Sequence, residues 1–263
     1  MDVPSNLGEQ ALQTLPLSCL IIGLITGFIG TLLGIGGGSL TTPLLILYGV
    51  QPHHAIATSL VAIVGTSLGG IYHLFRHRLV RIELAIFLET ASILGATLGA
   101  YLAIQLPAKT VTLAVATALL ISAILFTTTP VESNRKPSFS TAKSHAIAWS
   151  ASLVAGFLSA TAGIGGGVLK TPMLTLLLGL SLKSALATSK LMVGITAATG
   201  ALIYGLAGHV DPTIAIPLTI GAYVGASVGA RVLTRLRTKH TKTIAIAAYA
   251  AMATTLVLKV LTQ

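Results

Sequence analysis

Carboxylates are almost missing from this chain: Asp and Glu together number 6 in 263 residues, and all charged types make up only 8%. Soluble domains carry about a quarter charged residues, so a mainly water-facing surface is excluded. The same shortage argues against a carrier of hard metal cations, which need several oxygen ligands. Cysteine is limited to Cys19, inside the first apolar run. A disulfide framework and a thiolate metal site are therefore ruled out, and Cys19 reads as a packing residue. No H-E-x-x-H, paired aspartates or Ser/His/Asp set lies in the apolar runs. An intramembrane enzyme is disfavoured, and no metal or cofactor is implied. Asp2 and Glu9, but no Lys or Arg, precede the first apolar run. Without a basic n-region a signal peptide is not expected, and the first helix should stay in the mature chain.

What is present is apolar: 54% of residues are hydrophobic, and the mean hydropathy is +0.90. Runs of the roughly 20 residues that a spanning helix needs recur along the chain. The expected fold class is all-α, a polytopic helical membrane protein. Its expected place is the plasma membrane, or the inner membrane in a Gram-negative source. The net charge of +10 belongs to topology and not to nucleic acid, because the cations sit in short loops between apolar runs.

One stretch occurs twice. Gly27 to Gly70 begins GFIGTLLGIGGGSLTTP, and Gly156 to Gly200 begins GFLSATAGIGGGVLKTP; each later reaches Ala-Thr-Ser. Gly36, Gly37, Gly38, Thr42, Pro43, Thr58 and Ser59 answer to Gly165, Gly166, Gly167, Thr171, Pro172, Thr188 and Ser189. The offset is 129, and becomes 130 after one extra residue just before Gly179. Ala85 to Ala100 resembles Ala215 to Ala230 at the same 130. The chain thus divides into a first transmembrane repeat, 1–128, a polar cytoplasmic linker, 129–144, and a second repeat, 145–263.

Each repeat is expected to hold four long helices and one short helix after the glycine break. The long segments are Leu15 to Leu33, His53 to Phe75, Ile82 to Gln105 and Thr110 to Thr128, then Ile147 to Ala162, Ser181 to Ala207, Thr213 to Leu233 and Thr243 to Leu261. The short ones are Leu40 to Tyr48 and Leu169 to Leu180. Counting the short helix as a crossing gives five crossings per repeat and inverted halves. Only then do the Arg76–Arg81 loop, the linker and the Arg231–Lys242 loop share the cytoplasmic side.

Three successive glycines in mid-membrane are costly unless protein or a watery cavity covers the unwound backbone. Interrupted helices at matching places in two halves point to a transporter's binding site. The helix after each break offers N–H groups and a positive dipole end to an anion. Pro43 and Pro172 suit a first helical turn there. The competing reading is close helix packing, which Gly23/Gly27, Gly95/Gly99 and Gly225/Gly229 fit well.

Lysines sharpen the anion reading. Lys170 follows Gly167 by three residues, and Lys190 lies roughly 14 Å into its helix at 1.5 Å per residue. A central lysine costs about 2.5–3.5 kcal/mol on insertion scales, so it should face a cavity or a partner. Lys170 could instead snorkel to the interface. Glu89, the deep carboxylate, reads equally as a proton carrier or as a partner for a lysine or a backbone donor. His53 and His54 open a long helix beside the first half-site, one of them able to titrate near neutrality; a solvated loop role is the blander reading. His73 and His77 share a helix face without a carboxylate or cysteine.

The two G-F-x(5)-G-I-G-G-G blocks, each followed by Thr-Pro and Ala-Thr-Ser in a basic chain of this length, resemble the sulfite exporter TauE/SafE family of membrane transporters. The resemblance covers about Leu17 to Leu261. It implies a carrier of small sulfur-containing anions, such as sulfite or sulfoacetate, with Gly36 to Gly38, Thr42, Pro43, Gly165 to Gly167, Thr171 and Pro172 lining the substrate site. Thr58, Ser59, Thr188 and Ser189 join them from the Ala-Thr-Ser motif. Lys170 and Lys190 break the internal symmetry, and their role in binding is read from this chain alone. The expected function is a secondary transporter that exports such an anion by alternating access around the two breaks. The alternative is a carrier of another small carboxylate or inorganic anion, with import also open. The expected partners are the anion, the lipid bilayer and a coupling proton or sodium ion (Glu89 being the coupling candidate). A homodimer is a candidate assembly.

Overall fold

The computed structural model describes residues 5–32, 36–128, 141–235, 251–252 and 254–256. The described residues hold helices and no strand. In chain order they are α1 (Ser5–Leu32), α2 (Gly38–Leu47), α3 (Pro52–Arg76), α4 (Ile82–Gln105) and α5 (Ala108–Thr128), then α6 (Thr141–Ala162), α7 (Gly167–Leu176), α8 (Leu182–Leu206) and α9 (Pro212–Arg235). Five helices in the described residues, α3, α4, α6, α8 and α9, are long and apolar enough to cross a membrane. The chain is a multi-pass membrane protein. The last expected segment, Thr243 to Leu261, lies mostly outside the described residues, as does most of the linker.

Local signals set the boundaries. Pro52 opens α3 at a position where its missing N–H is no loss. Ser181 caps α8 by accepting the Ser184 backbone N–H at 3.4 Å. Each short helix starts at the third glycine of its triplet, because the second, Gly37 or Gly166, turns the chain in the left-handed region, with φ of 82° and 65°. Pro43 and Pro172 therefore fall in the second turn and not in the expected first. There, each proline has no N–H to return to the carbonyl four residues earlier.

Small residues let the long helices touch backbone to backbone. A Cβ on Gly221 or Gly225 would stand 2.1 Å from the Leu20 or Leu24 carbonyl, and one on Gly229 2.7 Å from that of Phe28. Gly95 and Gly99 press likewise on the Leu153 and Phe157 carbonyls of α6. Packing is thus the use of these paired glycines.

The same contacts give the direction of each helix. Numbers rise together along α1 and α9, along α4 and α6, and along α3 and α9, where Gly65 meets Thr219 and Gly69 meets Tyr223. They rise together along α4 and α8, where Arg81 meets Thr188 and Glu89 meets Thr196. Along α3 and α8 they run oppositely, Leu60 lying against Gly200 and Lys190 against Gly70. So α1, α3 and α9 point one way, and α4, α6 and α8 the other. Since α1 and α3 are parallel, the break and α2 carry the chain back between them; the second break and α7 do the same between α6 and α8. Each short helix has 10 residues, about 15 Å at 1.5 Å per residue.

These directions gather Arg76, Arg78, Arg81, Lys143, Lys183 and Arg231 at one end of the bundle. His53, His54, Lys109, His209 and Asp211 mark the other. The first end thus carries most of the Lys and Arg among the described residues, the bias on which the expectation of a cytoplasmic side rests.

Candidate functional site

The two breaks meet inside the bundle. The carbonyl of Gly163, first glycine of the second motif, accepts hydrogen bonds from Thr42 at 2.8 Å and from Ser59 at 3.1 Å. A Cβ on Gly38 would lie 2.6 Å from that same oxygen. Thr66 holds the first break from the α3 side, donating to the Gly36 carbonyl over 2.7 Å. In the second half Thr171 donates to Ser189 at 3.0 Å. The N-cap of each short helix is a glycine, Gly37 or Gly166, which has no side chain to cap the positive end of the helix dipole.

Of the residues expected from sequence, the structure brings Gly38, Thr42 and Ser59 together at the Gly163 carbonyl. Gly37 and Gly166 serve the turns and pack closely, with Cβ positions 2.9 Å from the Thr26 and 2.8 Å from the Ala155 carbonyls. Thr188 is turned away to the end rich in Lys and Arg, where it accepts the Arg81 backbone N–H at 3.0 Å. Its repeat partner Thr58 is buried, and its hydroxyl has no partner among the described residues.

Both lysines are fully buried, which excludes snorkelling for Lys170. Lys170 Nζ lies 2.5 Å from Glu89 Oε1 and 2.5 Å from the Thr196 hydroxyl, which donates to Glu89 Oε2 over 2.6 Å. Glu89 thus neutralises Lys170, tying α4 to α7 and α8.

Lys190 is different. Its ammonium donates to Thr31 Oγ1 at 2.6 Å and meets no carboxylate among the described residues. Repeat symmetry explains how it fits. Leu60, its counterpart, lies against Gly200 beside Ala160; Lys190 lies against Gly70 beside Thr31. A polar pair replaces an apolar one in the same mould. One turn along α8, Val193 touches Gly36, so this cation sits next to the first break.

A cavity of about 800 Å³ lies at the end rich in Lys and Arg, lined by Arg81, Glu83, His145, Ser181 and Ser184 among others. At the opposite end His53, His54 and His209 cluster, with ring centroids of 5.5 and 5.3 Å to His209. Burial, then the two neighbouring imidazoles, hold His209 below the usual histidine range. His53 Nε2 is 3.1 Å from the Ala103 and Leu106 carbonyls, so it is tied into the fold. Sequence reasoning missed Thr31, Gly70, Gly163, Thr66 and Thr196. The last two occupy matching places in the repeats, a signal that was present in the sequence.

The family profile described as sulfite exporter TauE/SafE matches residues 19–256, covering both breaks and every helix of the site. The chain belongs to that family. Three proteins of Bacillus subtilis (strain 168), each named "Probable membrane transporter protein", are similar to this TauE/SafE member. YunE is 27% identical over 246 residues, covering 84% of this chain and 89% of its own length. YdhB is 30% identical over 204 residues, covering 76% and 82%. YjnA is 37% identical over 82 residues, covering 31% and 32%. No solved structure matches. This TauE/SafE protein is a membrane transporter, and its family places it outside the enzymes.

Proposed function

We propose that this TauE/SafE transporter carries a small sulfur-containing anion, of the sulfite or organosulfonate class, and exports it down the gradient that its production inside the cell creates. The observation that carries the reading is Lys190: a fully buried ammonium, next to the first break, with a hydroxyl as its only partner among the described residues. An ammonium has three N–H donors, and a buried charge without a counter-charge is costly. A small anion supplies both the charge and the missing acceptors. The positive ends of α2 and α7 add about half a charge each.

The two halves act as inverted repeats, the arrangement that the opposed directions of α1 and α6, α3 and α8, and α4 and α9 support. Exchange of the two half-structures exposes the site first to one side and then to the other. The cytoplasmic cavity at Arg81 and Ser184 is the entry from inside.

The test is counterflow of labelled sulfite in vesicles containing the purified protein. Uptake against an unlabelled internal pool, inhibited by unlabelled sulfoacetate and not by choline, is the expected result. Flux no greater than in protein-free vesicles, for sulfite and for sulfoacetate alike, refutes the proposal.

A further inference from the structure

The Glu89–Lys170–Thr196 group sits where the fold does not require charge. Its counterparts in the other half are Thr219, Thr41 and Thr66. There Thr41 bonds to Thr26 at 3.0 Å and to the Gly37 carbonyl at 3.1 Å. Thr66 bonds to the Gly36 carbonyl, and the Thr219 hydroxyl has no partner among the described residues. The same junction of helices is thus closed by hydroxyls in one half and by an ion pair in the other. Burying two ions is often no better for stability than neutral packing, so a reason beyond packing is needed. Position supplies one: Lys170 stands three residues into the helix that follows the second break, on the element whose exposure has to alternate.

Resting on the transport reading above, we propose that Glu89 is the proton carrier of the cycle, its carboxylate paired with Lys170 when no substrate is bound and protonated when the anion is seated at Lys190. A proton from solution adds to a Glu89 Oε and breaks the ion pair. The freed Lys170 charge is then balanced by the substrate anion bound beside Lys190. On the far side the anion leaves, the proton returns to solution, and Glu89 closes on Lys170 again. One proton travels with each anion and in the same direction. Thr196, which touches both partners, stays as a neutral donor and acceptor throughout.

The surroundings of Glu89 leave it without a rival. From α7 it meets Lys170, and from α8 it meets Thr196; the ionisable groups of α8 besides Tyr204 are Lys183, at its start, and Lys190, bonded to Thr31. From α6 come only Lys143 and His145, both in the first turns, with the His145 ring 6.1 Å from Phe87. Glu83, the other carboxylate of α4, lines the cytoplasmic cavity. The cycle also has a consequence for direction. Export runs while the anion gradient exceeds the opposing proton gradient, and acid outside turns the carrier toward uptake.

The experiment uses the full chain in vesicles clamped at zero voltage, with labelled sulfite and labelled sulfoacetate. Sulfoacetate keeps its charge across the neutral range, so its response to pH belongs to the protein. Counterflow at equal pH comes first. If neither anion exchanges, the transport reading fails and this inference falls with it. If either exchanges, a tenfold proton gradient, acid outside, should raise that anion inside several-fold above the bath. Glu89→Gln should lose the accumulation. Exchange without accumulation in the wild type, or accumulation that survives in E89Q, overturns the proposal. Should E89Q lose counterflow as well, a pH dye trapped in wild-type vesicles decides. An inward sulfoacetate gradient at equal pH must acidify the interior, and flux without acidification overturns the proposal.

Discussion

Replacing Lys190 with glutamine removes a buried charge but keeps a polar end, one bond shorter, directed toward Thr31. In the wild type the ammonium has one bond, to Thr31 at 2.6 Å, and a bound anion would take at least one of the remaining N–H donors. A hydrogen bond involving a charged group contributes about 1.5–3 kcal/mol. At about 1.4 kcal/mol per factor of ten, Lys190→Gln should weaken anion binding roughly ten- to a hundredfold. The fold should not suffer. No carboxylate among the described residues loses a partner, and the cost of burying the ammonium disappears. The assay is equilibrium binding of labelled sulfite to detergent-solubilised protein, with thermal melting alongside. The account expects a large rise in Kd with a melting temperature equal to or above the wild type. A Kd within twofold of wild type, for sulfite and sulfoacetate both, would refute the reasoning and leave Lys190 as a structural residue.

Lys170→Gln should behave in the opposite way for stability. It strands buried Glu89, and breaking a buried pair on one side costs about 3–5 kcal/mol, read as a fall in melting temperature that the double change with Glu89→Gln largely restores. Gly225→Val puts a side chain where a Cβ already stands 2.1 Å from the Leu24 carbonyl, and should lower the yield of folded protein in size-exclusion chromatography. In a Cys19→Ala background, a cysteine at Gly208 should react with an impermeant thiol reagent outside whole cells, and one at Arg78 should not; the reverse pattern would reject the assigned orientation. His209 is held below its usual value of 6.5, so the unfolded chain binds its proton first. Its contribution is full above that value and is lost as pH falls through it toward the lower folded value. Wild type should therefore melt at a lower temperature in mild acid, and His209→Gln should lessen that acid-side loss.

Much of the architecture was readable from periodicity and charge. Ile82 to Gln105 appears with the bounds expected, and the glycine pairs at 23/27, 95/99 and 225/229 pack helices as small residues do in membranes. The direction of each helix needed contacts across the bundle, such as Gly65 with Thr219. The site was half legible. The repeated triplets marked where the chain unwinds, but the same residues carry turn geometry, so a valine at Gly37 or Gly166 would not separate anion binding from folding. With φ of 82° and 65° and a carbonyl under 3 Å from either Cβ, such a change strains the fold whether or not an anion binds there. The fates of the lysines were not legible either. Lys170 and Glu89 are 81 positions apart, and Lys190 and Thr31 are 159 apart; no local pattern says which cation is neutralised.

The most direct measurement is the position of the bound anion. Selenite resembles sulfite in shape and charge, and its selenium is visible by anomalous diffraction from crystals of the full chain. The account predicts a selenium peak within hydrogen-bonding reach of Lys190 Nζ, beside the first break, that is lost in Lys190→Gln crystals. Selenite found instead only in the cytoplasmic cavity at Arg81 and Ser184, or at the histidine end near His209, would contradict it.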